Sequence, residues 1–172
     1  MLVVRPMAEG DIDAVAVVQV RTWQAAYAGI VPAEVLDALD PAVNAANRRQ
    51  RRIPGGARTL VAEADGVIVG FVSVGPYRTQ RTRDEYDRTV GELYAIYVSP
   101  EHWGTGAGRA LMAAAREALA GYPSFRLWVL EANHRARRFY ERAGLAPDGA
   151  REYYTPPGSP VELPEIRYVS RR

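Results

Sequence analysis

The sequence predicts a single α/β domain spanning residues 1–172, built on a mixed sheet of six to seven strands with helices on both faces. Three observations carry this. The chain has 172 residues, enough for one domain with a proper core. Hairpin signals stand early and late: Asp65-Gly66 between two apolar runs, and Pro156-Pro157-Gly158-Ser159-Pro160 between two more. Between them strands and helices alternate, giving the order βααα-ββ-β-α-β-α-ββ, which implies a mixed sheet.

Leu2 to Arg5 reads as the first strand. Asp11 caps a helix carrying Ile12, Val15, Ala16, Gln19 and Trp23 along one side. Gly29 and Pro32 break the chain. A short helix follows, about Ala33 to Leu39, with Val35, Leu36 and Leu39 as its apolar face. Asp40-Pro41 punctuates, and a third helical piece ends in Arg48-Arg49-Gln50-Arg51-Arg52. That cluster reads as a solvated helix end whose cations suit the dipole; the alternative is a grip on an acidic ligand or an RNA phosphate. Strands two and three are Arg58 to Ala64 and Val67 to Val74. The polar stretch Gly75 to Thr89, with Arg78, Arg81, Arg83, Asp84, Glu85, Asp87 and Arg88, reads as a mobile loop, either a lid or a solvated connector.

Leu93 to Val98 is a nearly unbroken apolar run, expected of a strand covered on both faces. Pro100 ends it. Glycines follow at 104, 106 and 108, and from Ala107 a helix places Ala110, Leu111, Ala114, Ala115, Ala118 and Leu119 on one side. Glycines at the mouth of a helix open left-handed backbone angles and let a ligand reach the free amides of the first turn. With the positive end of the dipole, those donors suit a pyrophosphate. Arg109 adds a charge at the rim. The plainer alternative is an ordinary glycine-rich turn. Gly121-Tyr122-Pro123 stops the helix. A strand, Phe125 to Leu130, and a helix, Asn133 to Arg142, follow. Ala136, Phe139, Tyr140 and Ala143 form that helix's stripe, and Gly144 terminates it. Two last strands are Leu145 to Tyr154 and Val161 to Ser170.

A dinucleotide fold wants G-x-G-x-x-G in its first strand–helix unit. Here the spacing is G-x-G-x-G, Arg109 stands where the third dinucleotide glycine belongs, and the loop lies well into the chain. Trp103-Gly104-Thr105-Gly106-Ala107-Gly108 instead resembles the acyl-CoA signature Q/R-x-x-G-x-G/A of the GNAT superfamily of N-acetyltransferases, with Trp103 in place of Gln or Arg. Asn133-His134-Arg135-Ala136-Arg137-Arg138-Phe139-Tyr140-Glu141-Arg142-Ala143-Gly144-Leu145 is similar to the family's other signature, N-x-x-A-x-x-F-Y-x-x-x-G-F, with Leu145 for Phe.

The resemblance covers almost the whole chain. It implies a mostly antiparallel sheet, acetyl-CoA as co-substrate, no metal, and direct attack of a primary amine on the thioester in a ternary complex. It also implies pairing of pantetheine with the strand edge near Ile96, Tyr97 and Val98, and Tyr140 as the acid that protonates the leaving thiolate. Asn133 and Tyr140 are seven apart, on one side of a helix, so Asn133 can hold a pantetheine amide, cap the helix, or both. For Tyr140 the alternative is a core tyrosine. Glu92 is the candidate base, through water, or else an exposed strand-end glutamate. Trp23, Tyr27 and Tyr94 either wall the acceptor pocket or are core aromatics, and Glu131 can face the same cleft. A homodimer through the C-terminal strands is common in such proteins.

Composition narrows the chemistry. All 22 basic residues are arginine, and there is no cysteine. A lysine base, a thiol nucleophile and a disulfide framework are excluded. With only His102 and His134, a histidine-rich metal site is not expected. The net charge of +2 does not mark a nucleic-acid surface. No run of about 18 apolar residues appears, so no membrane partner is expected and the protein reads as soluble and cytoplasmic. Acceptors in range are a small amine or polyamine, an amino acid, an antibiotic or a protein amine. The competing reading is a GNAT-fold domain that binds acyl-CoA without catalysis, for regulation or interaction.

Overall fold

A computed structural model describes residues 1–80 and 84–170. Seven strands form one sheet: β1 (Leu2–Pro6), β2 (Arg58–Ala64), β3 (Val67–Gln80), β4 (Glu85–Val98), β5 (Phe125–Leu130), β6 (Leu145–Tyr154) and β7 (Leu163–Ser170). Their order is β1-β2-β3-β4-β5-β7-β6. Neighbours are antiparallel except β4 and β5, which are parallel. The helices are α1 (Ile12–Ala26), α2 (Ala33–Asp37), α3 (Pro41–Gln50), α4 (Ala107–Ala118) and α5 (His134–Arg142).

The helices divide between the two faces. The amphipathic stripe of α4 puts Ala107, Leu111 and Ala115 against Val72, Val74, Leu93 and Leu127, and α5 joins this larger core through Tyr140 and Phe139. On the other face Val15 and Val18 of α1 pack on Val61 and Phe71, with Ala95 and Tyr97 beside them. Ala45 of α3 closes over Ile12 and Ala16.

Two expectations are corrected. Asp11 stands at the N-cap position of α1, but its side chain makes no capping hydrogen bond there. Its carboxylate accepts from the Ala8 amide at 2.7 Å and from Arg5 at 2.7 and 3.1 Å, so it ties the preceding 3-10 turn to β1. Nor are Gly75 to Gln80 and Glu85 to Thr89 loop: β3 runs on to Gln80 and β4 begins at Glu85. Pro76 cannot donate to the ladder, and the pairing absorbs it by shifting register at Pro76/Tyr77 and again at Arg78/Gln80. Tyr77 is buried here. Its hydroxyl accepts from Arg167 at 3.0 Å, and the Arg126 guanidinium lies 4.9 Å from its ring centre. Arg81 and Arg83 lie outside the described residues.

Candidate active site

The parallel pair β4–β5 holds together at only two positions, Gly91 with Phe125 and Glu92 with Arg126. Beyond Glu92 the strands part. On the other side of β4, Ser73 pairs with Ala95 and Val74 with Leu93, which leaves Tyr94 as an extra, bulged residue. Such a bulge bends a strand and turns its side chains. The Ser99 amide donates to Val69 of β3 at 2.8 Å. Amides alternate along a strand, so the Tyr97 amide faces β3, and those of Ile96 and Val98 face the gap. A cavity of about 1430 Å³ runs through this opening.

On the α4 face the cavity meets the glycine turn. Gly104 and Gly106 have φ of 80° and 97°, angles that only glycine takes without strain. Gly106 is the N-cap of α4, and the next amides, of Ala107, Gly108 and Arg109, lack helical partners. Gly108 is small for another reason: a Cβ there would meet Phe139 at 3.2 Å. Thr105 closes the turn by donating to the His102 carbonyl at 2.7 Å. Trp103 donates its indole N–H to the Val98 carbonyl at 2.7 Å, so it fixes the end of β4. Arg135, in the first turn of α5, stacks on its ring. Asn133 caps α5, accepting from the Ala136 amide at 3.2 Å. Arg109, Arg135, Arg138 and Asn133 all line the cavity.

Tyr140 stands where the two faces meet. It belongs to the core cluster and lines the cavity, with its ring against Phe139 and Tyr168. Its hydroxyl makes no hydrogen bond among the described residues. Burial, reinforced by the Tyr97 phenol, pushes its pKa well up, so the phenol keeps its proton. On the α1 face Trp23 packs edge-on to Tyr27 and Tyr154, at 5.0 and 6.4 Å between centroids. The Trp23 indole N–H is buried without a hydrogen-bond partner of normal geometry; it and the Tyr27 hydroxyl bear on the Tyr97 phenol.

Glu92 is not a strand-end surface residue. It is 1% exposed and is clasped by Arg78. The Arg78 amide donates to Oε2 at 2.8 Å, its Nη2 to Oε1 at 2.7 Å and its Nε to Oε2 at 3.3 Å. The same guanidinium lies 4.7 Å from the Tyr94 ring centre. Glu92 and Tyr94 thus meet the same guanidinium, and Arg78, not Glu92, reaches the cavity. Glu131 points elsewhere: its carboxylate is half exposed and paired with Arg151 at 2.9 Å.

Residues 19–145 match the model of the acetyltransferase (GNAT) family. The chain belongs to the GNAT family. It is thus an acyltransferase, and known GNAT proteins line up with it. The uncharacterized N-acetyltransferase YuaI of Bacillus subtilis (strain 168) is 37% identical over 136 residues, covering 77% of this chain and 74% of that one. An uncharacterized N-acetyltransferase of Archaeoglobus fulgidus is 42% identical over 88 residues, covering 50% and 58%. In fold, the chain superimposes on the PaiA N-acetyltransferase from Thermoplasma acidophilum in complex with coenzyme A. That match has a TM-score of 0.73 and 20% identity, over 100% of this chain and 99% of that one.

Within the GNAT frame, the cavity is also lined by residues the sequence did not place there, among them Arg78, Arg135, Tyr154 and Glu165, and by Arg48 of the cluster read chiefly as a solvated helix end. Glu165 is a buried carboxylate of β7, and its charge bears on Tyr97. No periodicity marks such residues, because each reaches the site through strand register or helix packing. Among the described residues no helix is long and apolar enough to cross a membrane.

Proposed function

We propose that this GNAT protein moves an acetyl group from acetyl-CoA to a primary amine by direct attack, with both held at once. One observation carries the reading. The gap between β4 and β5 joins a glycine-and-arginine cradle on one face to an aromatic pocket on the other, and the unpaired Tyr140 hydroxyl lines the passage. Fold relatives solved with coenzyme A and with acetyl-CoA support the choice of donor.

Acetyl-CoA supplies the activated acyl group. The free amides of Ala107, Gly108 and Arg109, presented by the turn from Trp103 to Gly106, receive the pyrophosphate, with Arg109 and Arg135 adding charge. The Ile96 and Val98 amides pair with pantetheine as an added strand would. One of them also faces the carbonyl oxygen as negative charge develops. Asn133 adds an amide contact from the start of α5. Tyr140 gives its proton to the leaving thiolate. Trp23, Tyr27 and Tyr94 wall the acceptor side. Glu92 takes the amine proton through water, and its clasp requires Arg78 to move aside when the acceptor arrives.

That clasp favours a second reading, acyl-CoA binding without turnover. A homodimer is proposed alongside, with β6 an edge strand that leaves Tyr153 exposed; size-exclusion with light scattering tests it. The deciding experiment is acetyl-CoA-dependent release of free thiol over a panel of amines, peptides and antibiotics. The chain has no cysteine and adds no background. Turnover that falls in Glu92→Gln or Tyr140→Phe supports the transfer reading. Tight acetyl-CoA binding with no turnover for any acceptor supports the binding domain.

A further inference from the structure

The arginine cluster at the end of α3 does not all face water. Arg49 does, pairing with Asp13 at 2.9 Å on the surface. Arg48 turns inward. Its guanidinium lies 4.9 Å from the centre of the Phe71 ring, and its Nη2 donates to Gln19 Oε1 at 2.5 Å. Its Nε is buried with no hydrogen-bond partner, and no carboxylate pairs with it among the described residues. Burial and the neighbouring charge of Arg51 both work against this cation. Even partly buried, a cation with no anion beside it is a costly arrangement, and this one opens onto the cavity.

Its position says which ligand would complete it. Phe71 and Gln19 lie on the α1 face of the sheet, across from the glycine turn, Arg109 and Arg135. An anion at Arg48 therefore belongs to the acceptor, not to the phosphates of the donor. Arg51 and Arg52 extend the same positive rim. The Tyr97 phenol is within electrostatic reach of both Arg48 and the Glu165 carboxylate, and Glu165, Trp23, Tyr27 and Tyr154 line the same cavity as Arg48. The cavity thus offers a guanidinium fork, suited to a carboxylate or phosphate. It also offers aromatic rings and a carboxylate, suited to an ammonium.

We propose that the acceptor is an amine that also carries an anionic group, a carboxylate or phosphate, and that Arg48 is the residue that selects it. This rests on the acetyl-transfer reading for the role of the pocket, but not for the binding itself.

The test uses matched pairs: L-tyrosine against tyramine, L-histidine against histamine, and ethanolamine phosphate against ethanolamine. Binding to the coenzyme-A-loaded protein is measured by ligand-observed NMR and turnover by thiol release, for wild type, Arg48→Gln and Arg48→Lys. Thermal melting checks that each variant folds. The acidic member of at least one pair should bind about ten- to hundredfold more tightly than its partner. Arg48→Gln should erase that preference, and Arg48→Lys should restore part of it, which separates charge from packing. No preference in the wild type, or a preference that survives in Arg48→Gln, overturns the proposal. If acetyl-CoA binds but no pair discriminates, the acceptor class fails while the transfer reading stands. If discrimination appears without any thiol release, the transfer reading fails while the anion site stands.

Discussion

The Arg135 guanidinium lies over the Trp103 ring, 3.3 Å from its centre. The two come from different elements, the first turn of α5 and the loop before α4. The acyl-CoA signature usually has Gln or Arg at the position of Trp103. Here the indole is committed to the Val98 carbonyl, and the cation arrives from α5 on top of it. Arg135→Gln should weaken acetyl-CoA binding about tenfold, the worth of one charge-assisted contact. Trp103→Ala should cost at least as much, because it removes the platform and frees the end of β4. Calorimetric titration with coenzyme A at two salt concentrations measures both. An Arg135→Gln protein with wild-type affinity and salt dependence would remove Arg135 from the phosphate site.

Tyr140→Phe should lower kcat about a hundredfold, at the lower end of acid catalysis, and leave acetyl-CoA affinity intact. The pH profile follows from the raised pKa. If Tyr140 is the acid, the active form is the protonated phenol, which predominates below its pKa, and burial has moved that pKa above the ordinary tyrosine value. Rising pH therefore costs no acid below about pH 10, the ordinary value. A wild-type kcat that declines through pH 8 to 9 and loses that decline in Tyr140→Phe would contradict the assignment.

Arg78→Ala leaves the buried Glu92 carboxylate without its clasp. Breaking a buried pair from one side costs about 3 kcal/mol, to be read by chemical denaturation. Glu92→Gln keeps much of the hydrogen bonding and should cost less. If Glu92 is the base, Glu92→Gln lowers kcat while acetyl-CoA binding is kept. If kcat is unchanged, Glu92 serves to hold Arg78 in the cavity wall.

The glycines of the turn should respond unequally to alanine. Gly106→Ala forces φ near 97° on a residue with a Cβ, at about 1 kcal/mol or more, and should weaken acetyl-CoA binding as well. Gly108→Ala has helical backbone and faces only a tight approach to Phe139 at 3.2 Å, so the melting temperature should fall less. Differential scanning fluorimetry with and without coenzyme A separates the two effects.

Local pattern was enough to place most of the fold. β2, β5 and β6 have the bounds read from the sequence. Gly106 and Asn133 mark their helix starts, and two short signatures point to the acyl-CoA side of the site. Each of these signals acts within a few residues: a glycine angle, a cap, a stripe that repeats with the helix. The extension of β3 past Pro76 was hidden, because proline is a local stop sign that only the pairing partner overrides. The arginines of the cavity were hidden for a related reason. Among 22 arginines with identical side chains, nothing in the chain distinguishes Arg48, Arg78 and Arg135 from those in water. Arg78 meets Glu92 through the β3–β4 register, Arg48 meets Phe71 through α3 closing over α1, and Arg135 meets Trp103 through the packing of α5 beside α4. Charge identity is written in the sequence, but whether a charge is solvated, paired or buried depends on what the folded chain packs around it.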